Sequence, residues 1–505
     1  MPEKIYSSTA KSAVYNYFST ILVIVLQFLT SIALVRLLSV FDYGVYNVII
    51  GGVGVLGLVF PVATIMRFLP EYSQRGDFFL AKRLVKTFLF YSLIVLGIFC
   101  IGLFVFSISS FSQGLLTLGI TKELLWFFIL ISVFTVLSGI IDNVLLALID
   151  QKFRSLVRIL YSSLIFALSL ILLSSGFALV GVFVAILVPT ILLFVLTAWR
   201  LKLVVFSRPS VGVKDWESKR LIDYSLFSSF NYFGDIVLGL TIDIWVIGIF
   251  LGSYQAGLYA FAAKTAQTLI TLSPAAIATI VVYPMLIKKY TETRSKEQLI
   301  YFFGLYNKFI AFFVFPMIVG VVVFADPIIR FIFNPEYVLV TGIFMISAVG
   351  FGFSAFRSAT LAVYSTLERL DIGLKAKLFF IYNLAADLIL VPLYGLTGAI
   401  FATTTATFSV FLTEFLLTRK LVNISFPKMA FLRILANSAV MGVIVFLILP
   451  FVKGTLTLGI AVIASIGAYF ALSFINRPFS ARDAGFFEKL GIVGKFFSFF
   501  SRKNH

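Results

Sequence analysis

Seven ionisable side chains stand well inside long apolar stretches: Asp142, Asp235, Asp243, Lys264, Arg357, Asp387 and Glu414. At about 3 kcal/mol each on a membrane-insertion scale, they would cost roughly 20 kcal/mol if they faced lipid. They must pair or line water. Their spacing favours shared polar faces. Lys264, Gln267, Thr268 and Thr271 stand at i, i+3, i+4 and i+7, one stripe on a helix. Asn231, Asp235, Gly239 and Asp243 recur every four residues, and Asn16, Thr20, Gln27 and Ser31 do so with one gap. Thr135, Ser138 and Asp142 form a further set, as do Ser347, Ser354, Arg357, Ser358 and Ser365. The deep cations Lys264 and Arg357 suit an anionic group, because charge-assisted bonds in a poorly solvated place are strong. Asp142, Asp235, Asp243 and Asp387, with Gln27 and Gln267, are candidates to line a cavity or to take a coupling ion (H+ or Na+); Asp235 and Asp243 could instead neutralise those cations. The hydroxyl residues read first as helix-to-helix hydrogen bonders. Lys308 and Glu414 lie near the inner ends of their stretches, where snorkelling accounts for them.

The elements that carry these residues are membrane helices. A hydrophobic content of 61% and a mean hydropathy of +1.08 over 505 residues do not fit a soluble domain. Fourteen stretches of about 20 residues or more are each long enough to cross roughly 30 Å of hydrocarbon. They are 12–36, 44–69, 84–108, 123–149, 156–174, 178–200, 223–251, 255–287, 300–324, 338–365, 374–392, 395–418, 430–450 and 456–476. Without water to satisfy the backbone, such segments must be helices or a closed barrel, and runs this long without strict alternation read as helices. Between 320 and 340, Asp326-Pro327 and Asn334-Pro335 predict a short outer-side segment. The start shows no basic-then-apolar signal with a small-residue cleavage site, so the first span is expected to be retained.

Charge sets the expected orientation. Of 40 Lys and Arg, 33 fall in the N-terminal tail, the C-terminal tail and the loops after even-numbered spans, against 4 in the opposite loops. The positive-inside rule then places both termini in the cytoplasm. The net charge of +18 is this topological bias, and no soluble basic domain exists to bind nucleic acid. Cys100 is alone and the one histidine is His505, so no metal site is expected. Loops of at most about 22 residues are too small to hold the donor and metal of a membrane glycosyltransferase or polymerase, so the chain is not read as an enzyme. The segment from Arg482 to His505 interleaves Phe486, Phe487, Ile492, Phe496, Phe497 and Phe500 with Lys489, Lys495, Arg502 and Lys503, and predicts an amphipathic helix on the anionic inner leaflet.

The chain also repeats itself at about 214 residues. Asp42-Tyr43-Gly44-Val45-Tyr46 follows the first span, and Gln255-Ala256-Gly257-Leu258-Tyr259 follows the seventh. Pro70 and Pro284 occupy matching places, as do Asp150-Gln151 and Glu368-Arg369. Six spans separate the copies, and an even number makes them parallel. The expected architecture is an all-α integral membrane protein of two parallel six-helix bundles around a central cavity, plus two C-terminal helices. The bundles would be 1–204 and 223–420, joined by a linker at 205–222, with added helices at 428–476 and a tail at 477–505.

Ala33-Leu34-Val35-Arg36-Leu37-Leu38-Ser39 followed by Asp42-Tyr43-Gly44-Val45-Tyr46 resembles the first-hairpin signature of Wzx-type oligosaccharide flippases, the polysaccharide biosynthesis membrane proteins of the multidrug/oligosaccharidyl-lipid/polysaccharide exporter superfamily. Arg67-Phe68-Leu69-Pro70-Glu71-Tyr72 resembles the same family. Val40-Phe41 departs from it where a proline is common in the turn. The resemblance implies a flippase that moves a polyprenyl-phosphate- or diphosphate-linked oligosaccharide from the inner to the outer leaflet, with cations in a cavity holding the head group. Lys264 and Arg357 are candidates by depth, and Arg36 and Arg67 by motif position. Membrane lipids and other glycan-assembly membrane proteins would be its partners, and no cofactor is implied. A cation-coupled multidrug exporter of the same superfamily is the alternative, kept open by Asp142, Asp235, Asp243 and Asp387.

Overall fold

The structure, a computed structural model, describes residues 2–57, 60, 62–108, 118–148, 150–207, 218–275, 286, 290, 292–487 and 497–501, with side chains of the first helix from residue 19 onward. Asn16, Pro284, the break at Arg208-Pro209-Ser210 and the tail residues Ile492, Phe496, Lys489, Lys495, Arg502 and Lys503 therefore lie outside the described residues or side chains.

Among the described residues the chain is helical apart from turns and one isolated bridge between Phe479 and Ser501. Ten helices are long and apolar enough to cross a membrane, or eleven if one bent pair is counted as a span. The fourteen expected spans meet this count in identifiable ways. The second is shared between two shorter helices, and the eighth runs into residues not described. The eleventh and twelfth form one 44-residue element bent at Gly395, whose φ of +60° and ψ of −141° break the helix. A left-handed bend of this kind is cheapest at glycine.

The chain forms two compact units, Met1–Gly257 and Leu258–His505. The first contains α1 (Pro2–Leu37), α2 (Val40–Leu56), α3 (Val62–Gln74), α4 (Phe78–Ile108), α5 (Lys122–Ala147), α6 (Gln151–Ser174), α7 (Ala178–Leu201), α8 (Ser218–Val237) and α9 (Leu240–Leu251). The α1–α2 turn is set by Ser39, whose hydroxyl caps α2 by accepting from the Asp42 N–H at 3.0 Å. Asp42 then sits in the first turn, where the helix dipole favours an acid. α1 packs along α6, α5 along α7, α3 on α5 and α8, and α9 on α2. These last contacts place α8 and α9 with the first unit, so the contact boundary falls at Gly257, later than the linker expected at 205–222. One core joins Ile65, Phe68, Leu69 and Tyr72 of α3 to Leu84 and Val85 of α4 and to Ile141 and Val144 of α5. A second joins Val45 and Ile49 to Leu124, Ile131 and Phe183.

The two Gly-x-Tyr motifs meet physically. A Cβ on Gly44 would lie 1.8 Å from the carbonyl oxygen of Ser253, and one on Gly257 would lie 2.1 Å from that of Val40. Backbone touches backbone here, which only glycine permits.

α10 (Ser253–Thr271) leads into the second unit, which contains α11 (Lys296–Val323), α12 (Thr341–Ser354), α13 (Arg357–Thr366), α14 (Asp371–Lys377), α15 (Phe379–Val422), α16 (Lys428–Ile448), α17 (Thr455–Asn476) and α18 (Ala481–Phe487). The short segment expected between 320 and 340 is present as helical turns at Ala325–Ile332 and Pro335–Val340. α11 packs against α12, α13, α16 and α17. Phe312 on α11 is an aromatic hub. Tyr469, Phe479 and Phe500 rings lie 5.3–5.4 Å from it, and Tyr469 donates to its carbonyl oxygen at 2.7 Å.

At Phe497 and Phe500 the structure differs from the expected surface helix, whose residues 488–496 and 502–505 lie outside the described residues. Phe497 and Phe500 are buried in the protein, against Phe309, Phe312 and Phe470, because aromatic partners on α11 and α17 offer closer packing than lipid. The same region corrects the snorkelling expected of Lys308, which pairs at 2.7 Å with fully buried Asp483.

Candidate functional site

Two cavities follow one another along α3 and α8 in the first unit. The first, about 850 Å³, is lined by Arg67 and Phe68 of α3 and by Ser218, Lys219, Arg220, Asp223, Tyr224 and Phe227 of α8. Its charge is organised by Glu71. Arg67 and Arg75 reach that carboxylate from one turn before and after, at 3.0 and 2.7 Å, and Arg220 reaches it from α8 at 3.2 Å. Glu71 is 12% exposed while its three partners are 44–56% exposed, so the acid lies beneath the guanidinium groups. The hydrogen bonds from Arg220, and the field of all three arginines, hold the Glu71 carboxyl below its ordinary value. The Arg220 guanidinium also lies 4.8 Å from the Phe68 ring centre, a cation–π contact, and Tyr224 meets Phe68 edge-on at 5.5 Å. Arg67, Lys219 and Arg220 against Asp223 leave the lining positive, with two guanidinium forks of the geometry that phosphate oxygens fit.

The second cavity, about 480 Å³, begins where the first ends. Thr64 and Ser225 share a hydrogen bond of 2.8 Å across the α3–α8 contact between them. Beyond it the lining is Ser228, Ser229, Asn231, Tyr232 and Asp235 of α8, Thr135, Gly139 and Asn143 of α5, and the apolar residues Val53, Phe60, Val62 and Ile140. Tyr232 closes one side, its hydroxyl 3.1 Å from where a Cβ of Gly57 would stand. Just beyond Asp235 the α8–α9 pair bends by 55°. The stripes predicted through Asn231 and Asp235 and through Thr135 thus meet in one chamber. Asp142 does not join them. It holds Arg154 through two bonds of 2.6 Å, and Arg154 is only 7% exposed.

The other predicted residues are placed as follows. Arg36 is exposed in the last turn of α1, and Gln27 is exposed on the same helix. Asp243 is fully buried on α9. In the second unit, Lys264 is half-buried on α10. Gln267 and Thr271 line a cavity of about 240 Å³ with Ser354 and Ser358, so the α10 and α12–α13 stripes share one face. Arg357 is held by Glu414 through bonds of 2.8 and 3.1 Å, and Glu414 is 1% exposed. That pairing replaces the snorkelling expected of Glu414: its position on α15 points it at α13, where a cation is available. Asp387 is fully buried on α15 and accepts from Asn383 at 3.3 Å. Lys219 and Arg220 count in the sequence only toward topology, and Glu71 only as part of the Arg67–Tyr72 motif. The Arg67, Glu71, Arg75 spacing of four was the readable signal. No group of three or more His, Cys, Asp and Glu suited to a metal occurs among the described residues.

A profile of the family described as polysaccharide biosynthesis protein matches residues 33–340. No curated protein matches the sequence. Among solved structures, the chain is similar to the lipid II flippase MurJ in an inward closed conformation, with a TM-score of 0.69 and 18% identity over 95% of this chain and 99% of that one. It is also similar to an inward-facing multidrug resistance MATE transporter of the MOP superfamily, with a TM-score of 0.55 and 18% identity over 82% and 94% of the two chains. For the Vibrio cholerae MATE transporter VcmN the TM-score is 0.53 and the identity 15%, over 83% of this chain and 98% of that one. At these identities the likeness is one of fold alone: a multi-pass helical membrane protein with the fold of these transporters.

Proposed function

The chain belongs to the polysaccharide biosynthesis protein family, and from that premise we propose that it is a flippase for a polyprenyl-phosphate- or diphosphate-linked oligosaccharide, working by alternating access. The observation that carries the reading is the basic cavity of Arg67, Lys219 and Arg220 around Glu71, which adjoins a polar chamber along the same two helices. A lipid-linked glycan is an anionic head with a hydroxyl-rich body, and the two cavities match those parts in order. Arg36 and Lys264 remain head-group candidates; Arg357 would first have to give up Glu414. The reading keeps fourteen spans as two parallel six-helix bundles with α16 and α17 added, both termini cytoplasmic, and movement from the inner to the outer leaflet. The fold likeness that spans 95% of this chain supports the added pair, since the uncovered remainder is shorter than α16 and α17 together.

The multidrug alternative is favoured by one observation, the exposed carboxylate of Asp235 in the lining of the second chamber. One experiment separates the two readings. The purified protein is placed in vesicles with a fluorescent polyprenyl-diphosphate disaccharide, and lipid reaching the opposite leaflet is measured. Flipping above protein-free vesicles, slowed at least tenfold in the paired change Arg67→Gln with Arg220→Gln, supports the flippase. No flipping, together with resistance to organic cations in a sensitised host, assigns the chain to drug export.

A further inference from the structure

The carboxylate beneath the basic cavity occupies the donors that a phosphate would use. Arg220 faces Glu71 with both terminal nitrogens, Nη1 to Oε1 and Nη2 to Oε2, each at 3.2 Å. Arg67 adds a bond of 3.0 Å. A phosphate takes a guanidinium through the same two-pronged edge, so head group and carboxylate compete for one fork. The three arginines do not hold the acid equally. Charge-assisted N–H···O bonds run at about 2.7–2.9 Å. Arg75 meets that length at 2.7 Å, whereas Arg67 and Arg220, the two arginines of the cavity lining, stand at 3.0 and 3.2 Å. Glu71 is thus anchored by Arg75 and held more loosely by the arginines that face the cavity. Phe68 supports those two independently of the acid. Their guanidinium carbons lie 5.8 and 4.8 Å from the centre of its buried ring.

We propose that Glu71 is a built-in competitor for the head group: a prenyl diphosphate displaces it from Arg67 and Arg220 on binding, and its return to them drives release. The inference rests on the flippase reading and adds to it how a basic site lets its ligand go. Transport needs binding strong enough to admit the ligand and weak enough to let it leave. While the phosphate is bound, Arg75 keeps Glu71 compensated, so the displaced carboxylate is not stranded. When the phosphate leaves, the two lining forks close on Glu71 again. The exchange is one anion for another at the same donors.

The test uses farnesyl diphosphate as the probe and farnesol, the same chain without phosphate, as the control. Dissociation constants and dissociation rates are measured on the full-length protein in detergent, and flipping of the fluorescent polyprenyl-diphosphate disaccharide is followed in vesicles. Glu71→Gln keeps the shape and removes the charge. It should bind farnesyl diphosphate roughly tenfold more tightly, the ratio for two like charges about 6 Å apart at an effective dielectric near 40. Most of that gain should appear as slower dissociation. Glu71→Asp keeps the charge and should stay within about threefold of the wild type. The paired change Glu71→Gln with Arg75→Gln keeps the net charge and should still bind at least about threefold more tightly than the wild type, because the lining forks are emptied. Farnesol binding should be the same throughout. Thermal unfolding checks that each variant is folded. A carboxylate that only positions the arginines predicts the opposite sign, and weaker binding in folded Glu71→Gln overturns the inference. So does a change of less than about twofold, a tightening that vanishes in the charge-balanced pair, or an equal tightening for farnesol. If the wild type neither binds farnesyl diphosphate nor flips the lipid, the flippase reading falls and takes this inference with it. Flipping by the wild type without tighter binding in Glu71→Gln leaves the flippase standing and removes only the competitor.

Discussion

Removing Arg357 should destabilise the second unit far more than removing its partner together with it. The guanidinium makes two parallel bonds to Glu414, at 2.8 and 3.1 Å. Charge centres about 4 Å apart at an effective dielectric near 20 attract by about 4 kcal/mol. Glu414 is 1% exposed, so Arg357→Ala strands a carboxylate that has no route to water. Breaking a buried pair from one side costs about 3–5 kcal/mol. The reverse change, Glu414→Ala, should cost less, roughly 1–3 kcal/mol, because Arg357 is 30% exposed and can turn toward solvent. Replacing both residues with Met should come within about 1 kcal/mol of the wild type, since matched apolar groups avoid the desolvation of two charges. The assay is denaturant unfolding in detergent micelles over the full double-mutant cycle with alanine. The expected coupling is about 2–4 kcal/mol, well above the roughly 0.5 kcal/mol within which independent sites add. Additive single changes would refute the argument. They would mean that the pair contributes nothing and that Arg357 is available to an anionic ligand, as its depth in the sequence first suggested. The double Met variant then asks about transport: a folded protein that still flips lipid-linked sugar has no need of Arg357 at the head group.

Arg154→Leu should destabilise the first unit by about 3 kcal/mol, and Arg154→Lys by less, since a lysine restores the charge on Asp142 but not the two-pronged bond; thermal unfolding in micelles would check the order. Gly44→Ala and Gly257→Ala should each cost about 1–3 kcal/mol or prevent folding, because the added carbon would fall 1.8 and 2.1 Å from a backbone oxygen; expression yield and unfolding midpoint are the readouts. Stability should also depend on pH through Glu71. Its arginine partners depress the folded-state value below the ordinary 4.5, so its contribution is complete above that pH and is lost as pH falls through the depressed value. Unfolding profiles from pH 7 downward should therefore show an acid-side loss in the wild type that is smaller in Glu71→Gln.

What the sequence determined by itself was everything set by local spacing. Runs of apolar residues as long as a bilayer is thick made membrane helices, because no other backbone arrangement satisfies itself in hydrocarbon. Ser39 three residues before Asp42 made the first hairpin turn, Asn231 and Asp235 one turn apart made a polar face, and Arg67, Glu71 and Arg75 at spacings of four made the start of a charge cluster. Tertiary structure decided which charges meet. Arg220 comes to Glu71 from 149 residues away, Arg357 to Glu414 from 57, and Lys308 to Asp483 from 175. None of these separations follows from helical periodicity. Periodicity says which residues share a face, but the face a helix turns toward its neighbour is chosen by packing along its whole length. The same limit applied to Phe497 and Phe500, whose alternation with basic residues suits a lipid surface equally well. They are buried because Phe312, nearly two hundred residues earlier in the chain, presents a ring for them to pack on.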